Sequence, residues 1–228
     1  LLSALSDLGG LWPVMTVTET LTRTADAALQ ASVDFLFRKA AERGDITLPD
    51  PDRAGAGTGY IVLGMGKYGA FELNYSSDID LIVFYDPERA QLAARIEAPT
   101  FFVRLTRELV RLMDERTGDG YVFRTDLRLR PDAGATQVAL STDAAMVYYE
   151  SFGQNWERAA LIKARPVAGD IAAGAAILEE LAPYIWRKYL DFAAIADVQS
   201  LKRQIHAVKG HGEIAVFGHN VKLGRGGI

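Results

Sequence analysis

The chain has 228 residues, with 25 lysines and arginines against 29 aspartates and glutamates, for a formal charge of −4 at neutral pH. It contains no cysteine, which excludes disulfides, thiolate metal sites and a cysteine nucleophile and makes the cytoplasm the default location. The acidic balance argues against a surface devoted to nucleic acid, and no apolar run reaches the roughly 20 residues that cross a membrane.

Over 18–43 the apolar residues Leu21, Ala25, Leu29, Val33, Leu36 and Ala40 recur at helical spacing, and Gly44 marks a stop. The stretch 48–59 holds two prolines and three glycines and predicts a boundary. Residues 1–57 then form a helical segment and linker, 58–152 a sheet-bearing core and 153–228 a C-terminal helical region. Two short apolar runs, 60–63 and 79–85, predict buried strands. Between them lies a polar, glycine-rich loop with room for one or two helical turns. A helix is expected over 90–116, started or interrupted by Pro99. Residues 121–130 alternate, with Phe123, Thr125, Leu127 and Leu129 on one face and Arg124, Asp126, Arg128 and Arg130 on the other, as in a half-buried strand. A further strand is predicted at 138–140, then a helix to Phe152 capped by Ser141 or Thr142. Helices are also expected over 156–165, 170–190 and 193–209, ahead of a glycine-rich tail from Gly210. The fold class is α/β: a small mixed sheet with helical segments on both sides. A start at Leu1 and an end at Gly226-Gly227-Ile228 suggest a piece of something longer.

Asp78 and Asp80 flank Ile79 at the start of a predicted strand, so the period of two sets both carboxylates on one face. Such a pair repels itself unless cations neutralise it, and hard oxygen ligands at this spacing suit Mg²⁺ or Mn²⁺ held together with substrate phosphates. Asp126 is a third acid. If its strand lies beside 79–85, the three acids converge as a two-metal phosphoryl or nucleotidyl transfer site requires. Gly64, Gly66 and Ser77 lie just upstream and offer backbone donors for phosphate oxygens. Arg128, Arg130, Lys163 and Arg165 are natural phosphate clamps. The same residues also make a plainer pattern, in which Asp78 caps a turn and Asp80 and Asp126 pair with Arg124 and Arg128. A rival reading takes Gly64-Met65-Gly66-Lys67-Tyr68-Gly69 as a dinucleotide fingerprint with Asp86 as its acid. Only 70–78 is available for the crossover helix that reading needs, too short for a βαβ unit. His206, His211 and His219 share no ligand spacing.

The runs Gly64 to Lys67, Glu72-Leu73-Asn74-Tyr75-Ser76-Ser77-Asp78-Ile79-Asp80-Leu81, Phe123-Arg124-Thr125-Asp126-Leu127-Arg128-Leu129-Arg130-Pro131, Gly153-Gln154-Asn155-Trp156-Glu157-Arg158 and Lys163-Ala164-Arg165 resemble the glutamine synthetase adenylyltransferase/adenylyl-removing enzyme family. That family carries two nucleotidyltransferase domains of the DNA polymerase β-like superfamily. Leu73-Asn74, the Asn155 to Arg158 stretch and the tail from Leu223 to Ile228 are similar to its N-terminal, adenylyl-removing half, and the run from Asn220 resembles the same family. The resemblance implies a polymerase β-like core over 58–152 that removes AMP from an adenylylated tyrosine of glutamine synthetase by phosphorolysis, giving ADP. It implies catalytic and metal-binding roles for Asp78, Asp80 and Asp126, and two Mg²⁺ or Mn²⁺ ions. The implied partners are glutamine synthetase, ADP or ATP, phosphate and, through a longer chain, a PII-type signalling protein. The competing expectations are the forward adenylyltransferase and a non-catalytic nucleotide-binding or docking domain.

Overall fold

The computed structural model of the chain describes residues 1–186, 199, 200 and 203. It divides into two units, residues 1–185 and 186–228. The expected helix 193–209 with His206, and the glycine-rich tail with His211 and His219, lie largely or wholly outside the described residues.

Helix α1 (Leu2–Leu8) leads into α2 (Val14–Glu42). The periodic apolar stripe of α2 is its buried face, from Val17 through Ala25, Leu29, Val33 and Phe37 to Ala40. The two predicted strands form β1 (Tyr60–Gly64) and β2 (Ile79–Tyr85), joined through the single turn of α3 (Gly66–Gly69). They pair antiparallel from Tyr60↔Tyr85 to Gly64↔Leu81, which rules out a βαβ crossover and with it the dinucleotide reading. Helix α4 (Ala98–Asp114) starts at Ala98, with Pro99 in its first turn, rather than at Ala90, since proline is suited to a first turn whose N–H has no partner. The strands β3 (Thr125–Asp126) and β4 (Leu140–Ser141) both lie parallel to β2, one at each end of its outer edge. Helices α5 (Thr142–Ser151) and α6 (Asn155–Leu161) precede β5 (Arg165–Gly169), which pairs antiparallel with the free side of β1. Helices α7 (Ile171–Glu180) and α8 (Ala182–Ile185) close the unit.

Strand alternation distributes the core between two faces of the sheet. Tyr60, Val62, Ile79, Leu81, Val83 and Tyr85 pack with α2 and α4, where Phe102 stacks between Tyr60 and Tyr85 at ring distances of 5.8 and 4.6 Å. Ile61, Leu63, Ile82 and Phe84 pack instead with α5, α6 and α7. The mixed sheet between two helical layers is the expected α/β class. Among the described residues no helix is long and apolar enough to cross a membrane.

The structure departs from the expected organisation at both boundaries. The glycine- and proline-rich stretch after α2 is not a division between units. Asp34 of α2 accepts from Gly55 N–H at 2.8 Å and Gln30 accepts from Gly169 N–H at 3.1 Å, which fastens α2 to the sheet. At the other boundary, residues 165–169 add a strand to the sheet within the region expected to be a C-terminal helical one, in the gap between two expected helices. The long strand expected over 121–130 shortens to two residues. Its start is drawn off by Met113 O, which accepts from Val122 and Phe123 N–H, and its end is turned by Asp126 Oδ1, which takes the Arg128 N–H at 2.8 Å. A short side chain competing for the backbone ends a ladder in this way.

Candidate active site

The parallel pairing of β2 with β3 sets Ile79 beside Thr125 and Asp80 beside Asp126, and Ile79 N–H donates to Arg124 O at 2.9 Å. Register neighbours on adjacent strands share a face and lie about 4.8 Å apart, so the two carboxylates stand abreast. Ile79 points into the α2 and α4 layer, so Asp80 and Asp126 take the other face, one step further out than Ile82. Asp78 and Arg124 lie one alternation before them. The glycine loop closes one side: Met65 N–H donates to Asp80 O at 2.9 Å, and a Cβ added at Gly66, whose φ is 53°, would lie 3.4 Å from Asp80 Oδ2. Only glycine enters that left-handed conformation without strain.

Carboxylates this close repel, and two arginines offset the charge. Arg124 gives Nε to Asp78 Oδ1, Nη2 to Ser76 O at 2.6 Å and Nη1 to Tyr121 Oη at 3.0 Å. Arg128 gives Nε to both oxygens of Asp126, at 3.0 and 2.8 Å, and Nη2 to Oδ2. Those hydrogen bonds hold the Asp126 carboxyl below its ordinary 3.8, against the opposing effect of burial. Arg124 reaches the acids through the alternation that also selects Asp126. Its clamp on Ser76 is a tertiary contact with no sequence signal, and Tyr121 supports it locally from three residues away.

The remaining predicted residues do other work here. Gly64 is glycine for packing: a Cβ there would meet the Tyr68 ring and Val167 Cγ1, each at 2.7 Å. The Ser77 hydroxyl donates to Asn74 Oδ1 at 2.9 Å and closes its own turn. Arg130 donates to the carbonyls of Leu127, Ala133, Thr136 and Gln137 and so clamps the loop after β3. Lys163 pairs with Glu72 at 2.8 Å. Arg165 stands in register with Gly64, on the face that carries Tyr60 and Val62, and its two terminal nitrogens each lie 3.0 Å from an oxygen of Asp26 on α2. It also lies over the Phe71 ring, 4.1 Å from the centroid. Strand alternation therefore sets Arg165 on the opposite face of the sheet from Asp80 and Asp126, so its expected place in a phosphate cradle is corrected to a tie between α2 and β5. Arg165→Gln should lower stability by roughly 1–3 kcal/mol, because it breaks a charged bidentate pair, while phosphate binding at the acids is unchanged. Urea unfolding and a phosphate titration of the folded variant check the two halves of this expectation.

Hard carboxylate oxygens abreast fit Mg²⁺ or Mn²⁺. Among the described residues no group of three or more histidines, aspartates or glutamates is placed to hold a metal by itself, and Asp78 is engaged by Arg124. The donor set therefore fits a cation that Asp80 and Asp126 share with substrate oxygens and water, and does not make an all-protein cage.

Fold and site together define an α/β domain with paired carboxylates at one end of a small mixed sheet. The chain belongs to the glutamate-ammonia ligase adenylyltransferase family, whose family model matches residues 1–180, in line with the motifs around Asp78, Asp126 and Trp156. It is similar to the bifunctional glutamine synthetase adenylyltransferase/adenylyl-removing enzymes of Mesorhizobium japonicum (63% identical over 227 residues, 100% of this chain), Rhizobium meliloti (60% over 225, 99% of the chain) and Brucella suis (61% over 227, 100% of the chain). The chain spans 23% of the length of each of these relatives.

Proposed function

We propose that this domain removes AMP from an adenylylated tyrosine of glutamine synthetase by phosphorolysis. The observation that carries the reading is the register Asp80↔Asp126, which brings together two acids 46 residues apart in sequence at the rim of a sheet. Such a pair is costly unless its charge is used to hold cations and phosphates. The removing direction is supported by the likeness of Leu73-Asn74 and of Asn155 to Arg158 to the N-terminal half of the family.

In the reaction an oxygen of orthophosphate attacks the adenylyl phosphorus. A new P–O–P bond forms, the bond from phosphorus to the tyrosine oxygen breaks, and the phenolate leaves with the electron pair and takes up a proton. The products are ADP and unmodified tyrosine. Asp80 and Asp126 would hold Mg²⁺ or Mn²⁺, with Asp78, tied to Arg124, adding negative charge beside them. One or two such ions supply charge stabilisation for the attacking and leaving oxygens when bound. Gly66 seats the loop against Asp80, and Arg128, paired with Asp126 and exposed, is available for phosphate oxygens. A PII-type protein would act on this domain through the rest of a longer chain.

The test is to incubate the chain with adenylylated glutamine synthetase, Mg²⁺ and orthophosphate and to follow ADP. ADP formed in step with loss of AMP from the protein supports the reading. Transfer of AMP from ATP to unmodified glutamine synthetase without ADP release from the adenylylated form supports the forward enzyme. Nucleotide binding with neither reaction supports a non-catalytic docking domain.

A further inference from the structure

We propose that Arg128 is a positioning residue that changes partner within the site: it holds Asp126 when no cation is bound, and it moves to a phosphate oxygen when a divalent cation takes that carboxylate. The inference rests on reading this end of the sheet as a cation-assisted phosphate site, and it adds a coupling between the two ligands.

The argument is one of occupancy. An ionised carboxylate has about four lone-pair positions. Asp126 spends its oxygens on the Arg128 backbone N–H at 2.8 Å, on Nε at 3.0 and 2.8 Å and on Nη2. A cation ligated by Asp126 needs positions that the guanidinium now fills, so the two exclude one another. The two arginines differ in their freedom to leave. Arg124 is tied at once to Asp78, Ser76 and Tyr121. Among the described residues the Arg128 side chain has hydrogen bonds to Asp126 alone, and it is 85% exposed.

Charge favours the exchange. Asp78, Asp80 and Asp126 with Arg124 and Arg128 sum to −1. A divalent cation turns this to +1, which weakens the hold of the acids on the guanidinium and attracts an anion. Arg128 also feels Asp80 and Asp78 beyond its own partner, so a released guanidinium stays beside the place where a phosphate would meet the cation. An arginine fork suits phosphate as well as carboxylate. Cation and phosphate then bind cooperatively, because each removes a competitor of the other.

Magnetic resonance of the arginine Nε–Hε groups tests this directly on the chain. In the metal-free protein the Arg128 Nε–Hε should exchange slowly with solvent, and saturating Mg²⁺ should shift its resonance and speed its exchange. ADP added with Mg²⁺ should slow it again, whereas ADP alone should not. Arg124 should keep slow exchange throughout. Arg128→Gln should bind Mn²⁺ roughly tenfold more tightly in the absence of nucleotide and ADP·Mg²⁺ roughly tenfold more weakly, the change expected from one charged hydrogen bond. Arg130→Gln, which alters a nearby charge without touching Asp126, should move Mn²⁺ affinity much less. If Mg²⁺ shifts the Asp80 and Asp126 carboxyl resonances and leaves Arg128 unmoved, the exchange is wrong and the cation site stands. If Mg²⁺ shifts neither the carboxyls nor Arg128, the cation site fails and the exchange fails with it.

Discussion

Asp80→Asn and Asp126→Asn should each lower ADP release from adenylylated glutamine synthetase by about a hundred- to a thousandfold, the loss typical when one preorganised charge at a reacting centre is removed. The side chains keep their size, so packing is not the cause. Each amide keeps one carbonyl oxygen, but the pair loses half of the charge that would hold a cation at the end of β2 and β3. Stability should change only slightly, and in different directions for the two variants. The carboxylates stand abreast in register, so neutralising one relieves repulsion within the pair. For Asp126 the loss of its charge-assisted contact with the exposed Arg128 outweighs that gain, since the same contact holds its carboxyl below the ordinary value. The expected signatures are therefore an inactive Asp80→Asn variant with a melting temperature at or slightly above that of the parent and an inactive Asp126→Asn variant slightly below it. Phosphorolysis assays and thermal unfolding of the same preparations check both parts. Near-parental turnover by either variant would remove the paired acids from the chemistry.

Local patterns made some of this arrangement legible in the sequence. The stripe of α2, the apolar runs of β1 and β2, the cap at Ser141 and the turn after β1 depend on residues within a few positions of one another, where periodicity and turn chemistry operate. Asp78 and Asp80 could be read as facing one way because alternation is intrinsic to a strand. The Asp80 and Asp126 pairing follows from the sequence only if their strands are neighbours, since register between strands so far apart in the chain is set by the core beneath them. The misreadings have the same origin. Arg165 follows Lys163 in a basic motif, and only its place on β5 in register with Gly64 shows that it faces α2 and Asp26. Arg130 reads as a phosphate clamp in the sequence, where the loop carbonyls it holds in the structure leave no mark. The alternation over 121–130 is real, yet only two of its residues pair as strand, because Asp126 captures the Arg128 N–H and Arg130 gathers the carbonyls that follow.

Gly69→Ala should be among the most destabilising single changes in the chain, costing roughly 3 kcal/mol or more, beyond the usual range for a surface turn. A Cβ at this position would lie 1.9 Å from Lys163 O, 2.6 Å from Gly64 O and 3.0 Å from Lys163 C. All of these are backbone atoms, so no flexible side chain can swing aside. The end of β1, the turn of α3 and the segment leading into β5 meet at this point, and separating them would break the antiparallel pairing of Gly64 with Arg165. Gly66→Ala offers the contrast. Its added Cβ has 3.4 Å to Asp80 Oδ2 and its φ is 53°, so the penalty is the left-handed conformation alone, about 1–2 kcal/mol. Urea unfolding should therefore rank Gly69→Ala well below Gly66→Ala in stability. Activity of the folded fraction should rank them the other way, because the Gly66 change alters the wall beside Asp80 while the Gly69 change acts through the fold. A Gly69→Ala protein within about 1 kcal/mol of the parent would mean that the α3 turn and the approach to β5 are not in backbone contact, and the seating of the glycine loop against Asp80 would need another support.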